Sequence, residues 1–176
     1  MNNCNYEKKR GSVTNMTTTN ESQRELKKFF QSANIDFSNP DKYASITIRL
    51  ASCDDIDAQD SVRIFLHRLN RKILGSQHRN GKRDLIAFAV REGSYKSDNL
   101  HYHLMVEIPE QARAKFNDSV LSAWLAARRS PKARLRNEQP HVQPVYDDQW
   151  LSYMLKPQSK SNYLDAIDWI NTRLPK

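Results

Sequence analysis

The chain has 176 residues, 28 Lys+Arg against 20 Asp+Glu, a formal net charge of +8 and 38% hydrophobic residues. That is the length and composition of one ordinary globular domain, with no room for a second enzyme module and no apolar run near the roughly 18 residues of a membrane span. Two cysteines, Cys4 and Cys53, provide neither a disulfide framework nor a four-cysteine zinc site, so a cytoplasmic home with no membrane partner is expected.

Residues 1–22 are rich in Asn, Thr and Ser and are expected to form a disordered tail ahead of a single domain over 23–176. A short helix is predicted over Gln23–Ala33, followed by a turn at Asn39-Pro40-Asp41. Tyr43–Leu50 alternates, with Ala44, Ile46, Ile48 and Leu50 on one side, which is the pattern of a half-buried strand. Asp57–Leu74 carries Val62, Phe65, Leu66, Leu69 and Ile73 at helical spacing and ends at Gly75. Gly75–Lys82 reads as a basic loop and Leu85–Val90 as a short apolar strand. Gly93–Asn99 reads as a turn and Leu100–Ile108 as a second alternating strand. Glu110–Arg129 is predicted as a helix, His141–Val145 as a strand, and Asp147–Lys156 as a helix stopped by Pro157. A last helix is expected over Asn162–Leu174. The order β-α-β-β-α-β predicts an α+β protein of ferredoxin-like split βαβ type with a central antiparallel sheet.

The cations fall into two groups. Arg68, Arg71, Lys72, Arg79, Lys82 and Arg83 form one, and Arg128, Arg129, Lys132, Arg134 and Arg136 the other. Clustered cations of this kind bind phosphate backbones in a salt-sensitive way that is largely indifferent to sequence. Arg49, on the polar side of the first strand, joins Arg79, Lys82, Arg83 and the second group as DNA-binding candidates.

The chemistry is concentrated in Leu100-His101-Tyr102-His103-Leu104-Met105-Val106-Glu107. Residues two apart on a strand share a face, so His101 and His103 project together while Leu100, Tyr102, Leu104 and Val106 enter the core. Two imidazoles one pleat apart can ligate one metal ion and leave its other positions open. Further on, Tyr153 and Lys156 lie three apart on one helical face. Paired histidines on a solvated sheet and a packing tyrosine beside a lysine are each common without any function. Their joint order is what carries information.

His101-Tyr102-His103 with its apolar flank, then Tyr153-Met154-Leu155-Lys156 about fifty residues later, resembles the HUH superfamily of single-strand DNA endonucleases. These are rolling-circle replication initiators, relaxases and single-tyrosine transposases. The resemblance spans about Tyr43 to Pro157, with Ser45–Leu50 in the place of the family's first motif. It implies an HUH endonuclease-type fold in which His101 and His103 hold Mg or Mn and Tyr153 is the nucleophile. Lys156 would stabilise developing negative charge. In this family an acidic or amide residue often completes the metal site, for which Glu92 is the candidate and Glu107 the alternative. His141, His67 and His78 are expected at the surface or facing DNA.

What the resemblance implies is metal-dependent, site-specific nicking and strand transfer on single-stranded DNA through a 5′-phosphotyrosine intermediate. The setting would be rolling-circle replication of a small plasmid, phage or satellite element. The strand, at a hairpin or origin, would lie on the sheet's open face and the two basic loops. No second tyrosine lies four residues from Tyr153, so one tyrosine acts. No Walker-type loop is present, so a helicase would come from another protein in trans. A transposase with the same chemistry, or a non-catalytic DNA-binding regulator on the same scaffold, are the alternatives.

Overall fold

The computed structural model describes residues 41–93, 99–146 and 164–175, together with 24, 25, 28, 29, 31–33, 35, 39, 150 and 153. The segment 1–22, Lys156 and most of the helix expected from Asp147 lie outside the described residues. In chain order come β1 (Tyr43–Arg49), α1 (Asp55–Leu74), β2 (Ala87–Glu92), β3 (His101–Glu107), α2 (Phe116–Arg128) and β4 (His141–Pro144). The strands form one antiparallel sheet in the spatial order β2-β3-β1-β4. This is an α+β protein with an open four-stranded sheet, consistent with a ferredoxin-like arrangement. No helix among the described residues is long and apolar enough to cross a membrane.

α1 starts two residues before its first expected position because Asp54 caps it, accepting the Asp57 N–H at 2.8 Å. Such a cap stabilises a helix by about 1 kcal/mol. Asp55 and Asp57 in the first turn, and Arg71 and Lys72 in the last, match the helix dipole. Ala58, Val62, Phe65, Leu66 and Leu69 repeat every three or four residues and are buried together. Gly75 ends the helix at φ 55°, a conformation that costs little only without a Cβ. Ahead of α2, Glu110–Lys115 winds as a 3-10 helix following Pro109, a frequent prelude to an α-helix.

Both faces of the sheet are covered, unequally. Ala44, Ile46, Ile48, Leu50, Tyr102, Leu104 and Val106 pack under α1 and α2. On the reverse face Tyr43, Phe88, Val90 and Met105 pack with Ile35, Val145, Trp150, Ala166 and Ile167. The sheet face expected to be open is thus covered in part, by the C-terminal residues among others.

The last helix expected over Asn162–Leu174 is also corrected. Leu164–Ala166 form a 3-10 turn, and the chain then runs along the outer edge of β2. Asp168 N donates to Ala89 O at 2.9 Å, and Ala87 N donates to Arg173 O at 2.8 Å. The Asp168 carboxylate accepts the N–H groups of Ile170 and Asn171, both at 3.1 Å. An aspartate bonded to backbone ahead of it favours a turn over a helix, and β2's edge satisfies the rest.

β2 itself is shifted towards the turn relative to expectation. Leu85 N donates to the Asn70 side chain at 2.7 Å and Ile86 N to the Glu107 carboxylate at 3.2 Å, so neither donor enters the ladder. Pairing continues instead to Glu92, opposite His101.

Candidate metal centre

The site follows from strand register. β3 pairs with β1 so that Thr47 lies opposite His103 and Arg49 opposite His101. It pairs with β2 so that Val90 lies opposite His103 and Glu92 opposite His101. Directly opposed residues share a face, so Glu92, His101, His103, Thr47 and Arg49 all project on the reverse face, away from α1 and α2. No bulge is needed to aim Glu92, because Phe88, Val90 and Glu92 have the parity of the histidines.

Glu92 Oε2 lies 3.0 Å from His103 Nε2 and 3.4 Å from His101 Nε2. The two imidazole rings stand edge to face, with centroids 4.8 Å apart. One donor atom from each of the three residues lies within 4.8 Å of the other two. The side chains are 12% exposed for His103, 24% for His101 and 42% for Glu92, so the cluster opens to solvent on its carboxylate side.

The outer nitrogens are also engaged. His101 Nδ1 lies 2.7 Å from Asn99 O; a carbonyl only accepts, so Nδ1 carries the hydrogen and Nε2 of a neutral ring is a bare lone pair. That lone pair faces a carboxylate oxygen, an arrangement that a cation between them relieves. His103 Nδ1 lies 3.0 Å from Thr47 Oγ1. A hydroxyl both donates and accepts, so Thr47 serves His103 whether its Nε2 carries a hydrogen towards Glu92 or offers a lone pair. The donor set of two imidazoles and one carboxylate therefore fits a single divalent ion, with outer partners of the kind that orient metal-binding histidines.

Gly93 closes this corner. It has φ 85°, and a Cβ there would sit 2.3 Å from Asn99 O, the acceptor that orients His101. Thr47, the Asn99 carbonyl and Gly93 are site residues that sequence reasoning missed. Thr47 was within reach of it, as the polar residue of β1 that an antiparallel pairing with β3 places beside His103.

The other candidates separate in space. Glu107 shares the histidine face but lies six residues along β3 from His101, about 20 Å at 3.3 Å per residue. There it accepts from Ile86 N and pairs with Arg83, which removes it as third ligand and ties Arg83 down. The stretch Gly75–Lys82, expected as a loop, instead contains a one-turn helix over Ser76–Arg79, and Arg79 and Lys82 are exposed on it and just beyond it, ahead of Arg83.

Arg49 is exposed beside His101. The segment 134–136 is fastened to the same end of β1, with Ala51 N donating to Arg134 O at 2.7 Å and Arg136 N to Arg49 O at 3.0 Å. Within this group Arg134 Nε bonds Asp57 at 3.0 Å, and Arg128 stacks over Trp124 at 4.8 Å and bonds Asn137. Arg129 and Lys132 are exposed.

His141 is exposed on β4 opposite Thr47, on the histidine face. His67 and His78 instead contact each other, Nδ1 to Nε2, at 3.0 Å, and His78 Nδ1 bonds Asp84 at 2.6 Å. Burial, followed by His78, Arg71 and Arg68, pushes the His67 pKa down.

Trp150 is buried among Tyr43, Phe88, Val90 and Met105, on the histidine face. Tyr153 is helical, three residues beyond Trp150, and 57% exposed. Lys156 lies outside the described residues, so its predicted pairing with Tyr153 has no described geometry. Comparison of the chain with family models, with curated proteins and with solved structures found no match in any of the three.

Proposed function

We propose that the protein is a metal-dependent endonuclease and strand transferase of the HUH type, acting on single-stranded DNA with one catalytic tyrosine. The observation that carries this reading is the convergence of Glu92, His101 and His103, open to solvent on its carboxylate side, on the sheet face against which Trp150 is buried. Mg or Mn held there would neutralise the non-bridging oxygens of a phosphodiester and align it for in-line displacement.

The chain's own groups supply the rest. Arg49, one strand over from His101, binds a neighbouring phosphate, and the Arg134–Arg136 segment extends that positive border. The Tyr153 phenolic oxygen attacks phosphorus, the bond from phosphorus to the 3′ oxygen breaks, and the phenolic proton passes to solvent. The departing 3′ oxygen takes up a proton, leaving a free 3′-hydroxyl and a 5′-phosphotyrosyl link. Because the link retains a phosphodiester, a later 3′-hydroxyl can reverse the step and join strands. Lys156 would stabilise the developing negative charge. Initiation of rolling-circle replication of a small plasmid, phage or satellite element, with a helicase in trans, is the role that this chemistry suits.

The test mixes the full chain with a random-sequence single-stranded library, with Mn or with EDTA, and resolves the products on a denaturing gel. The expected result is a Mn-dependent protein–DNA adduct that wild type forms and Tyr153→Phe does not. DNA binding should persist in that variant. An adduct that survives in Tyr153→Phe removes this tyrosine as nucleophile. Tight binding with no adduct from wild type replaces the enzyme with a DNA-binding regulator.

A further inference from the structure

The two basic groups do not converge on one site. The metal centre lies on the reverse face of the sheet, whereas Arg68, Arg71 and Lys72 project from α1 on the opposite layer. A whole helix, about 10 Å across with its side chains, stands between them and the sheet. These three cations line one wall of a surface groove whose other wall is Ser122, Ala123 and Ala126 of α2. They are spaced i, i+3 and i+4 and are exposed, and none forms an ion pair with a described residue.

Unneutralised cations this close repel one another, a cost that a polyanion removes. The composition of the groove selects among polyanions. Single strands are gripped by stacking bases on aromatic rings. Here the wall facing the cations carries only Ser and Ala, and the exposed aromatic residues among those described are Phe29, Tyr146, Tyr153 and Trp169, none of which lines it. Phosphates without exposed bases are what a duplex presents.

We propose that the groove between α1 and α2 is a second, metal-independent site for the phosphate backbone of double-stranded DNA. It holds the duplex flanking the single-stranded segment that the metal centre works on. The inference rests on the nuclease reading only for that second clause.

The test measures binding of the full chain to a fluorescent blunt duplex of about 20 base pairs in EDTA over a salt series. Each lost phosphate contact lowers the slope of log K against log salt by about 0.9, so Arg68→Gln/Arg71→Gln/Lys72→Gln should lower it by about 2 to 3. The affinity at 0.1 M salt should fall on the order of a hundredfold or more. The control Arg113→Gln/Lys115→Gln removes exposed cations of the 3-10 helix and should leave the slope nearly unchanged. A wild-type slope in the triple variant overturns the proposal, as does an equal loss per charge in the control. Loss of single-strand binding alone, with duplex binding intact, overturns the duplex assignment. Adduct formation by the triple variant on short single-stranded DNA reports the metal centre separately, so failure of either reading leaves the other measurable.

Discussion

Replacing Thr47 by valine keeps the shape of the side chain and removes one hydroxyl. Thr47 Oγ1 is the partner of His103 Nδ1 at 3.0 Å, and the His103 side chain is only 12% exposed, so water cannot readily take the hydroxyl's place. Leaving a buried polar group unsatisfied costs about 1–3 kcal/mol. In the metal-bound form Nδ1–H loses its acceptor. In the metal-free form Nδ1 gives up only a neutral donor to its lone pair and Nε2–H keeps its charge-assisted bond to Glu92, 3.0 Å away, so the larger cost falls on the metal-bound form. At about 1.4 kcal/mol per tenfold, the expected loss of Mn affinity is about 10- to 100-fold. Isothermal titration of Mn into wild type and Thr47→Val at one fixed pH reads it directly, and Thr47→Ser should recover most of the loss. Wild-type affinity in Thr47→Val would show that His103 is not oriented through Thr47.

Gly93→Ala should weaken Mn binding without unfolding the sheet, because the added methyl displaces the Asn99 carbonyl that orients His101. An unchanged Mn titration would mean that the turn yields without moving that carbonyl. Asn70 donates to Leu66 O at 2.9 Å and accepts from Leu85 N at 2.7 Å, both inside the core. Asn70→Ala should therefore cost about 1–3 kcal/mol in urea denaturation, and a loss below about 0.5 kcal/mol would contradict the role given to that bond. His67, pushed below its ordinary 6.5 by burial and by the charges of His78, Arg71 and Arg68, binds a proton more readily unfolded than folded, against the pull of Asp84. Stability should then fall as pH drops below about 6.5, and His67→Gln should flatten that decline relative to wild type in thermal melts at pH 7.5 and 5.5. Parallel profiles for the two proteins would show that His67 does not contribute to it.

The parts of the fold governed by local periodicity were legible before any coordinates. β1, α1, β3 and the outward projection of His101 and His103 follow from spacings of two and of three to four. What escaped was set by partners distant in sequence. The parity of Glu92 was already written in Phe88 and Val90, but its position opposite His101 depends on a register that Leu85 and Ile86 fix by donating to Asn70 and Glu107. The C-terminal residues Leu164, Ile167 and Ile170 have helical spacing, yet Asp168 turns the chain and β2 offers it a better set of hydrogen bonds. The basic residues were visible as a count and as two runs. Their separation along α1, with Arg134 bonded to Asp57 near its start and Arg68, Arg71 and Lys72 near its end, required the helices to be packed.

The strip from Ile167 to Arg173 has a consequence for anyone shortening this protein at its C-terminal side. β2 is the outermost strand, and its outward N–H and C=O groups at Ala87 and Ala89 are occupied by that strip alone among the described residues. Cutting the chain near Pro157 would uncover a row of unsatisfied strand groups beside Phe88 and Val90, a template for pairing with the same row on another molecule. The shortened protein should come off a sizing column as aggregates, although Glu92, His101 and His103 are all retained.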